Sequence, residues 1–431
     1  MKAMIIGSGL TGLSLSDYFA KHRIDYFFAK QSDIDLKIFD ENYLNKILAG
    51  VDICLISPGV NPQNELIFQI KKRKIALFSE LEYAASLMKN DIIAVTGTNG
   101  KTTTVSLINY IFSHLEDGCL FGGNIGIPAI SLVDKIKGKE KVVLECSSFQ
   151  LETCKKFAPH IAVILNITED HMNRHKTMKA YIRCKYKITK NQKKSDYLIL
   201  NADDNVLKNN PPKSRAQIFY FSIKQKVRGC YVKNKSIYFN NGETEVRLLP
   251  LSKIKLIGEH NLSNVLASVL AIYLETRNIE ILNYVSGFTG VPHRIEFVRR
   301  LNDVDFYNDS KATNIASVIV ALKSFKSNIN LILGGSDKGY EFDELFKTIS
   351  DNVKNIAVIG ETRNKIMAAA NRQNFKNIFI CDNLEEATKK LYKLSKKGDI
   401  ILLSPACASF DQFSNYEMRG NCFKKIVNSL K

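Results

Sequence analysis

The chain contains the stretch V-T-G-T-N-G-K-T-T-T at residues 95–104, which predicts the class of fold. It follows an apolar run at residues 92–95 and precedes a helix-like stretch at 105–112. In such a strand, turn and helix, backbone N–H groups hold a polyphosphate, Lys101 neutralises the outer phosphates, and the Thr102 hydroxyl reaches a magnesium ion. The sequence therefore predicts an α/β domain that binds a nucleoside triphosphate. The loop is shorter than the common G-x-x-x-x-G-K-[ST] form, which reduces the number of nucleotide-binding families to which the chain could belong.

Composition limits the kind of protein further. With 431 residues, 45% hydrophobic and 24% charged, the chain predicts two or three globular domains in the cytoplasm. No apolar run reaches the ~18 residues that span a bilayer, and residues 1–7 read as a first strand rather than a secretory signal. Nine cysteines without a C-x-x-C pair predict reduced, mostly packed thiols.

The net charge of +18 raises the question of a nucleic-acid or membrane partner. The lysines are spread along the chain, without a basic stripe or an RNP-type motif, which favours a solvated lysine-rich surface. We therefore expect no nucleic-acid partner, no membrane insertion, and a monomer that acts on small molecules. A polyanionic substrate in a cleft would suit the charge.

Hydrophobic patterning predicts three α/β domains, at residues 1–88, 89–290 and 291–431. The first is predicted as a Rossmann-like parallel sheet, the second as a P-loop ATPase α/β domain, and the third as a Rossmann-like α/β domain. Polar residues such as Glu145 and Asn166 follow the central strands, at the sheet edge where α/β ligand sites lie. The predicted strands are residues 3–6, 26–28, 53–56, 92–95, 142–144, 161–165, 197–200, 305–308, 329–333, 355–359, 378–380 and 400–403.

The central domain carries a segment of different character. Residues 213–257 show short alternating runs and an N-N-G turn at 240–242, which predicts a small antiparallel extension. A helix is predicted at residues 261–274.

A second glycine-rich turn, G-S-G-L-T-G at residues 7–12, follows the first predicted strand and fits the dinucleotide fingerprint. An NAD site would need an acidic residue after the second strand, where the chain has Ala29, Lys30 and Gln31. The turn therefore favours the pyrophosphate of another nucleotide over NAD. A tight turn without a ligand is the alternative.

Two motifs of the central domain offer metal ligands. E-C-S-S-F-Q at 145–150 puts the Glu145 carboxylate at a strand end, where it would be either a magnesium ligand or a simple cap. N-I-T-E-D-H-M-N-R-H at 166–175 has two acids and two histidines. The spacing of His171 and His175 resembles a zinc pair, but the sequence offers no obvious third ligand.

Two polar loops of the third domain, N-D-S-K-A-T-N at 308–314 and S-P-A-C-A-S-F-D-Q-F at 404–413, follow predicted strands. Helix capping explains one such loop but not two, so both are predicted to bind a ligand. Cys407 lacks a supporting Cys/His/Asn arrangement and is predicted to be a small packed residue rather than a nucleophile.

These motifs, with G-E-H-N-L-S-N and P-H-R-I-E, occur in the order found in the Mur ligases, which the chain resembles over nearly its whole length. The resemblance implies an ATP-dependent amide ligase of peptidoglycan synthesis, with domains for a UDP-sugar, ATP and an amino acid. N-D-S-K-A-T-N points to the D-glutamate-adding type, which acts on UDP-N-acetylmuramoyl-L-alanine. A substrate carboxylate would attack the γ-phosphate, and the amine of D-glutamate would displace phosphate from the acyl phosphate. Such chemistry needs charge neutralisation and alignment rather than a dedicated nucleophile.

The resemblance also implies roles for particular residues. Lys101, His171 and Lys185 would be catalytic, and Lys185 would be carbamylated to bridge to a second magnesium ion. Metal ligands at the two magnesium sites would be Thr102, Glu145, His171 and the Lys185 carbamate. Contacts to ATP would come from Gly97, Thr98, Asn99, Gly100, Lys101, Thr102, Thr103, Asn264, Arg294 and Asp309.

The two other substrates have implied contacts as well. Those to the UDP-sugar would be Leu10, Thr11, Ser57, Gly59, Asn124, Ser147 and Gln150. Those to D-glutamate would be Thr313, Lys338, Ser409 and Tyr416. The chain departs from the family at Ala29-Lys30-Gln31, where an acid-led trio is common near the uracil, at Asn173, where Asp is usual, and at Tyr416, where Phe is expected.

Two alternatives stay open at this point. The chain could be another Mur-type or a folylpolyglutamate-type ligase, although the turn at residues 7–12 weighs against folate ligases, which lack that domain. A nucleotide-binding module that acts on nucleic acid would predict clustered basic and aromatic residues, which the chain lacks.

Overall fold

The computed structural model describes residues 1–36, 40–326, 328–337, 339–349 and 352–431. Within these residues the strands form sheets of four, nine and six strands, flanked by helices, which confirms the predicted α/β class. The chain divides into two compact units. The first comprises Met1–Ile254 and His260–Phe288, and the second comprises Lys255–Glu259 and Thr289–Lys431. The first unit holds the four- and nine-stranded sheets, and the second holds the six-stranded sheet.

The first sheet is parallel and has the strand order β2-β1-β3-β4. The two central strands of this sheet are apolar runs that are largely buried, as expected for a parallel sheet covered on both faces, whereas the edge strand Asp25–Phe28 is only partly buried. The strands are β1 (Lys2–Ile6), β2 (Asp25–Phe28), β3 (Ile53–Ile56) and β4 (Ala76–Ser79). The helices are α1 (Leu10–Lys21), α2 (Gln31–Asp35), α3 (Glu41–Leu48), α4 (Glu65–Lys72) and α5 (Glu80–Leu87). Asp40, Asn64 and Ser79 cap α3, α4 and α5 with their side chains.

The central sheet has the strand order β13-β12-β11-β10-β9-β8-β5-β7-β6. The strands are β5 (Ile92–Thr96), β6 (Cys119–Gly123), β7 (Lys141–Glu145), β8 (Ile161–Ile164), β9 (Tyr197–Asn201), β10 (Gln217–Ser222), β11 (Gly229–Lys233), β12 (Ser236–Asn240) and β13 (Glu245–Pro250). The predicted extension is antiparallel only from β11 to β13, because β10 and β11 pair in parallel and continue the main sheet.

The helices of the central region position the motifs found in the sequence. They are α6 (Lys101–Phe112), α7 (Ile130–Val133), α8 (Ser148–Glu152), α9 (Met172–His175), α10 (Met178–Tyr186), α11 (Asn205–Asn209) and α12 (Glu259–Thr276). Short 3₁₀ turns lie at Lys187–Thr189, Leu251–Lys253 and Glu280–Gly287. The helix predicted at residues 261–274 is α12, which is longer by two residues at each end.

Two buried carboxylates join the four-stranded sheet to the nine-stranded sheet. Glu80 is 1% exposed and accepts a hydrogen bond from the Ile130 N–H at 2.7 Å. Glu82 is also buried and accepts one from the Lys155 N–H at 2.9 Å. These bonds satisfy backbone donors of the central region with side chains of α5. The two sheets therefore belong to one packed body, in agreement with the division into units.

The second unit has a mixed sheet of order β14-β15-β19-β16-β17-β18, in which β14 is antiparallel to β15 and the other pairs are parallel. Its strands are β14 (Glu296–Leu301), β15 (Val304–Asn308), β16 (Ile329–Gly334), β17 (Val353–Ile359), β18 (Ile378–Ile380) and β19 (Ile400–Leu403). Its helices are α13 (Ile315–Lys323), α14 (Asp343–Thr348), α15 (Arg363–Arg372), α16 (Leu384–Leu394) and α17 (Tyr416–Ser429).

Two further expectations bear on the chain as a whole. All nine cysteines lie in the described part and are free thiols, and Cys407 is buried as predicted. Among the described helices, none is both long enough and apolar enough to cross a membrane.

Candidate active site

The phosphate loop connects β5 to α6 in a conformation that requires glycine. Gly100 has a φ of +87° and directly precedes Lys101 at the start of the helix. A Cβ atom at Gly100 would lie 2.2 Å from the side-chain oxygen of Asn264, so a larger residue does not fit. The backbone N–H groups at this helix start suit an anion. The predicted ATP residues of this stretch are placed in the loop (Gly97, Thr98, Asn99, Gly100) and in the first helical turn (Lys101, Thr102, Thr103).

The Lys101 side chain folds back over the loop. Its Nζ atom donates to the carbonyl oxygens of Gly97, at 2.7 Å, and Thr98, at 2.8 Å. The ammonium group is therefore held at the loop, where it can neutralise a bound phosphate.

A buried carboxylate lies behind the helix start. Glu145, at the end of β7, accepts a hydrogen bond from the Thr102 hydroxyl at 2.9 Å through Oε2. Its other oxygen, Oε1, accepts one from the Asn124 amide at 3.0 Å. The structure thus brings together the two predicted ligands of the first metal, and adds Asn124, which is predicted to contact the UDP-sugar. Carboxylate and hydroxyl oxygens are the hard ligands that Mg²⁺ prefers.

Lys185, on α10, is buried beneath the same loop. It is 1% exposed, and its Nζ donates to the Gly97 carbonyl at 2.8 Å. Burial and the nearby Lys101 ammonium hold the pKa of Lys185 well below its ordinary value. A neutral amine is the form of lysine that can react with CO₂, so this environment fits the predicted carbamate.

Asn166, directly after β8, clamps the phosphate loop from the other side. Its side chain accepts from the Asn99 N–H at 2.8 Å and donates to the Asn99 carbonyl at 3.0 Å. Its own carbonyl accepts from the Thr98 N–H at 2.9 Å. Sequence analysis placed Asn166 at a strand end but gave it no role. An asparagine at the carboxyl end of a neighbouring parallel strand was the available signal.

His171 follows on the same loop and is half exposed. It has a φ of +56°, packs 4.8 Å from the Phe149 ring, and lies 3.4 Å from the Asp170 carboxylate. Asn173, which replaces the usual Asp, instead accepts from the Arg174 N–H at 3.0 Å. Among the described residues, the structure gives His171 no hydrogen bond to the other predicted metal ligands.

Arg174 is a contact that sequence analysis missed. Its guanidinium donates to the Glu152 carboxylate at 3.1 Å and to the Val60 carbonyl at 2.8 Å, and it stacks over Phe149. It therefore ties the His171 loop to the loop after β3. Since Val60 lies 114 positions away in the chain, no local pattern signals this contact.

A pocket of about 790 Å³ lies at the carboxyl ends of the first-sheet strands. The turn that precedes α1 forms part of its wall, and α2 contributes Gln31, one of the residues that replace the acid-led trio. Six of the seven predicted UDP-sugar residues line it: Leu10, Thr11, Ser57, Gly59, Asn124 and Gln150. The seventh, Ser147, caps α8, and its hydroxyl donates to the Gln150 side chain at 3.1 Å.

In the second unit, Asp309 follows β15 and is fully buried. It accepts from the Ser404 hydroxyl at 2.7 Å and lies 3.8 Å from the Arg294 guanidinium. Burial raises the pKa of Asp309 to about 6, although Arg294 and Ser404 act in the opposite direction. The structure therefore brings together the two predicted ATP residues of this unit.

The loops predicted to bind D-glutamate are joined by a residue outside the prediction. Arg419, on α17, is buried and donates to the Ser310 hydroxyl and carbonyl and to the carbonyls of Cys407 and Ala408, all at 3.0–3.1 Å. It thereby fixes the loop that carries Thr313 to the loop that carries Ser409. Tyr416 begins the same helix. Lys338 lies outside the described residues.

Comparison with known proteins agrees with this geometry. Residues 95–272 match the Mur ligase middle domain, and residues 293–407 match the Mur ligase glutamate ligase domain. The chain is 40% identical to the UDP-N-acetylmuramoylalanine–D-glutamate ligase of Thermoanaerobacter pseudethanolicus, over 100% of this chain and 98% of the relative. It is also 40% identical to the enzyme of that name from Clostridioides difficile, over 100% and 99%.

The chain belongs to the UDP-N-acetylmuramoylalanine–D-glutamate ligase family of Mur ligases. Solved Mur ligase structures share its fold. The UDP-N-acetylmuramate–alanine ligase of Thermotoga maritima aligns over 100% of both chains, with a TM-score of 0.60 and 18% identity. The MurF ligase of Thermotoga maritima in complex with ADP aligns over 90% of this chain and 92% of its own, with a TM-score of 0.59 and 19% identity. Mur ligases are ATP-dependent, and the chain is therefore an ATP-dependent ligase.

Proposed function

We propose that the chain joins D-glutamate to UDP-N-acetylmuramoyl-L-alanine with hydrolysis of ATP to ADP and phosphate, a step in the synthesis of a peptidoglycan precursor. The relatives that carry this name match the chain end to end. The observation that carries the proposal is the grouping of Thr102, Glu145 and Lys185 around the phosphate loop. It offers metal ligands and cations but no nucleophile, as a phosphoryl transfer that depends on alignment requires.

The residues at the loop fit ATP and magnesium. The backbone from Gly97 to Gly100 and the α6 N-terminus would hold the phosphates, and Lys101 would neutralise the outer ones. Thr102 and Glu145 would hold the first magnesium ion, and His171 with the Lys185 carbamate would hold the second. Bound magnesium supplies charge neutralisation at the transferred phosphate.

The proposed reaction has two steps. A carboxylate oxygen of the UDP-sugar peptide attacks the γ-phosphorus of ATP, the bond to the bridging oxygen breaks, and ADP leaves with that electron pair. The amine of D-glutamate then attacks the acyl carbon, phosphate leaves with the C–O electron pair, and the amine releases its proton. Lys101, held at the loop by its bond to the Gly97 carbonyl, would stabilise the negative charge that develops in the first step.

Each proposed domain would supply most of the contacts to one substrate. Residues 1–88 would bind the UDP-sugar through the pocket lined by Leu10, Thr11, Ser57 and Gly59, with Asn124, Ser147 and Gln150 from residues 89–290. Residues 89–290 would bind ATP, aided by Asn264, Arg294 and Asp309. Residues 291–431 would bind D-glutamate through Thr313, Lys338, Ser409 and Tyr416.

The test is phosphate release from ATP and magnesium with UDP-N-acetylmuramoyl-L-alanine, with D-glutamate, L-glutamate or another amino acid as the acceptor. Release that depends on D-glutamate, together with the amide product by mass spectrometry, is the expected result. Release with a different acceptor would support the ligase reaction but overturn D-glutamate as its acceptor. No release with any acceptor would overturn the proposed reaction.

A further inference from the structure

Three side chains with metal-binding atoms converge outside the proposed magnesium sites. They are Glu152 at the end of α8, His175 at the end of α9 and Cys184 on α10, and their ligand atoms all lie within 4.8 Å of one another. His175 is buried, and the other two are partly buried. Three separate helices supply them, so the grouping exists only in the folded chain.

The cluster answers a question that the sequence left open. The spacing of His171 and His175 resembles a zinc pair without a third ligand. In the fold, His171 faces Asp170 and Phe149, while His175 joins a carboxylate and a thiol. The partners of His175 are therefore Glu152 and Cys184, which lie 23 and nine positions away.

We propose that Glu152, His175 and Cys184 form a binding site for a zinc-class divalent cation, separate from the magnesium sites. A thiolate, an imidazole and a carboxylate are the ligand set that zinc accepts, and a thiolate disfavours magnesium. Tetrahedral zinc with three protein ligands leaves a fourth position for water. This inference goes beyond the proposed function and does not depend on it.

The distances between the three ligand atoms suit such a site once these atoms move slightly closer together. Zinc bonds of about 2.0–2.3 Å at tetrahedral angles place ligand atoms roughly 3.5 Å apart. The three atoms, at up to 4.8 Å, would have to approach one another by about 1 Å. Side-chain rotation of partly exposed groups such as Glu152 and Cys184 can supply this movement.

Neighbouring residues already hold two of the ligands in place. The Arg174 guanidinium bonds Oε2 of Glu152, and the Ser148 hydroxyl lies 3.0 Å from Nε2 of His175. Metal-binding carboxylates and imidazoles usually have such outer partners. Burial lowers the pKa of His175, which favours the neutral imidazole that a metal requires. Burial also raises the pKa of the Cys184 thiol, so the bound cation itself would have to displace the thiol proton.

The charges of the three ligands balance the charge of the cation. A divalent cation with one thiolate and one carboxylate is neutral, and the Arg174 guanidinium, which is paired with Glu152, lies beside it. Occupancy would fasten α8, α9 and α10 together, and these helices follow or carry Glu145, His171 and Lys185. The cation would therefore stabilise this part of the fold.

The experiment is a zinc titration of the full-length protein in a chelator buffer, with Co²⁺ as a spectroscopic probe. The wild type should bind one zinc ion per chain at this site, and its cobalt complex should show thiolate-to-cobalt absorption. Cys184→Ser should lower zinc affinity by at least about 100-fold and remove that absorption, because even outer-partner changes cost 10–100-fold. His175→Asn should also lower the affinity, whereas Cys422→Ser should retain it.

Equal zinc affinity in Cys184→Ser and the wild type would overturn the proposal, since the metal would then bind elsewhere. A wild-type cobalt complex without thiolate absorption would also overturn it, whatever the variants do. Zinc should raise the unfolding temperature of the wild type but not of Cys184→Ser, and an equal rise in both would count against the site.

Discussion

Lys185 and Arg419 are both buried basic side chains, one in each unit, but their hydrogen bonding differs. Arg419 directs four hydrogen bonds to oxygen atoms of Ser310, Cys407 and Ala408. Among the described residues, Lys185 makes one hydrogen bond, to the Gly97 carbonyl. Burial lowers the pKa of Arg419 to about 10, whereas burial and Lys101 hold the pKa of Lys185 well below its ordinary value.

The difference shows how a buried cation reveals its role. A guanidinium whose donors are nearly all used holds two loops together, because each bond offsets part of its desolvation. An amine with one hydrogen bond and the Lys101 ammonium nearby is under-satisfied, which is the condition that the proposed carbamate chemistry needs. Burial alone does not distinguish the two cases.

The largest expected effect is on Lys185. Replacing it with Met keeps its bulk but removes the amine, so the rate of phosphate release should fall by about 1,000-fold because a metal ligand is lost. The unfolding temperature should change little. Lys190→Met, at an exposed position nearby on the chain, is the matched control.

Lys185→Ala leaves room for a replacement ligand. Small carboxylates such as acetate should partly restore its activity, as they can stand in for a carbamate. Near-normal turnover in either variant would show that Lys185 is a structural cation like Arg419, and the comparison would fail.

The second effect is on stability. Arg419→Met should lower the free energy of unfolding by about 3–5 kcal/mol, because buried carbonyl groups lose their donor. Urea unfolding measures the change. Arg372→Met is the control, since Arg372 pairs with Asp343 at the surface and its loss should cost much less than the loss of Arg419. Equal losses in both variants would contradict the assigned role of Arg419.

A buried carboxyl group extends the comparison. Glu80 accepts from the Ile130 N–H through Oε1, whereas Oε2 has no hydrogen-bond partner within the described residues. Burial raises the pKa of Glu80 from 4.5 to about 7. The folded protein thus holds this proton more tightly than the unfolded chain. Stability should therefore fall as the pH rises from about 4.5 to about 7, by about 3 kcal/mol.

Glu80→Gln removes this titration while keeping the oxygen that faces Ile130. The free energy of unfolding of this variant should lack the part of the decline with pH that Glu80 causes. The stability of the variant relative to the wild type should therefore be higher at pH 8 than at pH 5. Urea unfolding at pH 5 and pH 8 measures this difference in stability between the variant and the wild type. Glu65→Gln, near the surface on α4, is the control. An equal difference in stability at pH 5 and pH 8 would be inconsistent with a raised pKa of Glu80.

The smallest expected effect is on Asn124, and it sharpens the assignment of the loop. If Asn124 acts by positioning Glu145, Asn124→Ala should raise the KM for magnesium–ATP by about 10-fold. If it acts by contacting the UDP-sugar, the KM for that substrate should rise instead. Steady-state kinetics with each substrate varied in turn separates the two roles.

Short sequence patterns account for most of what could be predicted from the sequence. The β5–loop–α6 unit was predicted because strand, turn and helix are adjacent in the chain. Glu145 was predicted as a candidate because its strand end lies at the same sheet edge. The role of Lys185 came only from the family resemblance, since nothing around it marks a buried amine.

Long-range contacts explain what was missed. The main partners of Arg419 include Ser310, 109 positions away, and Arg174 reaches Val60 across 114 positions. No spacing rule encodes such contacts. β14 was missed for another reason, because its sequence E-F-V-R-R-L is partly exposed and lacks an apolar run. The parallel pairing of β10 and β11 was missed because a short alternating run favours an antiparallel hairpin.

The carboxylates of Glu80 and Glu82 have a practical consequence for dissection of the chain. A fragment that ends at residue 88 would carry both carboxylates without the Ile130 and Lys155 N–H groups that they accept from. The complementary fragment would expose those donors and the apolar surface beneath them. The chain should therefore not be divided near residue 88, because that boundary lies between two sheets that pack together. By contrast, the chain passes from one compact unit to the other after Phe288.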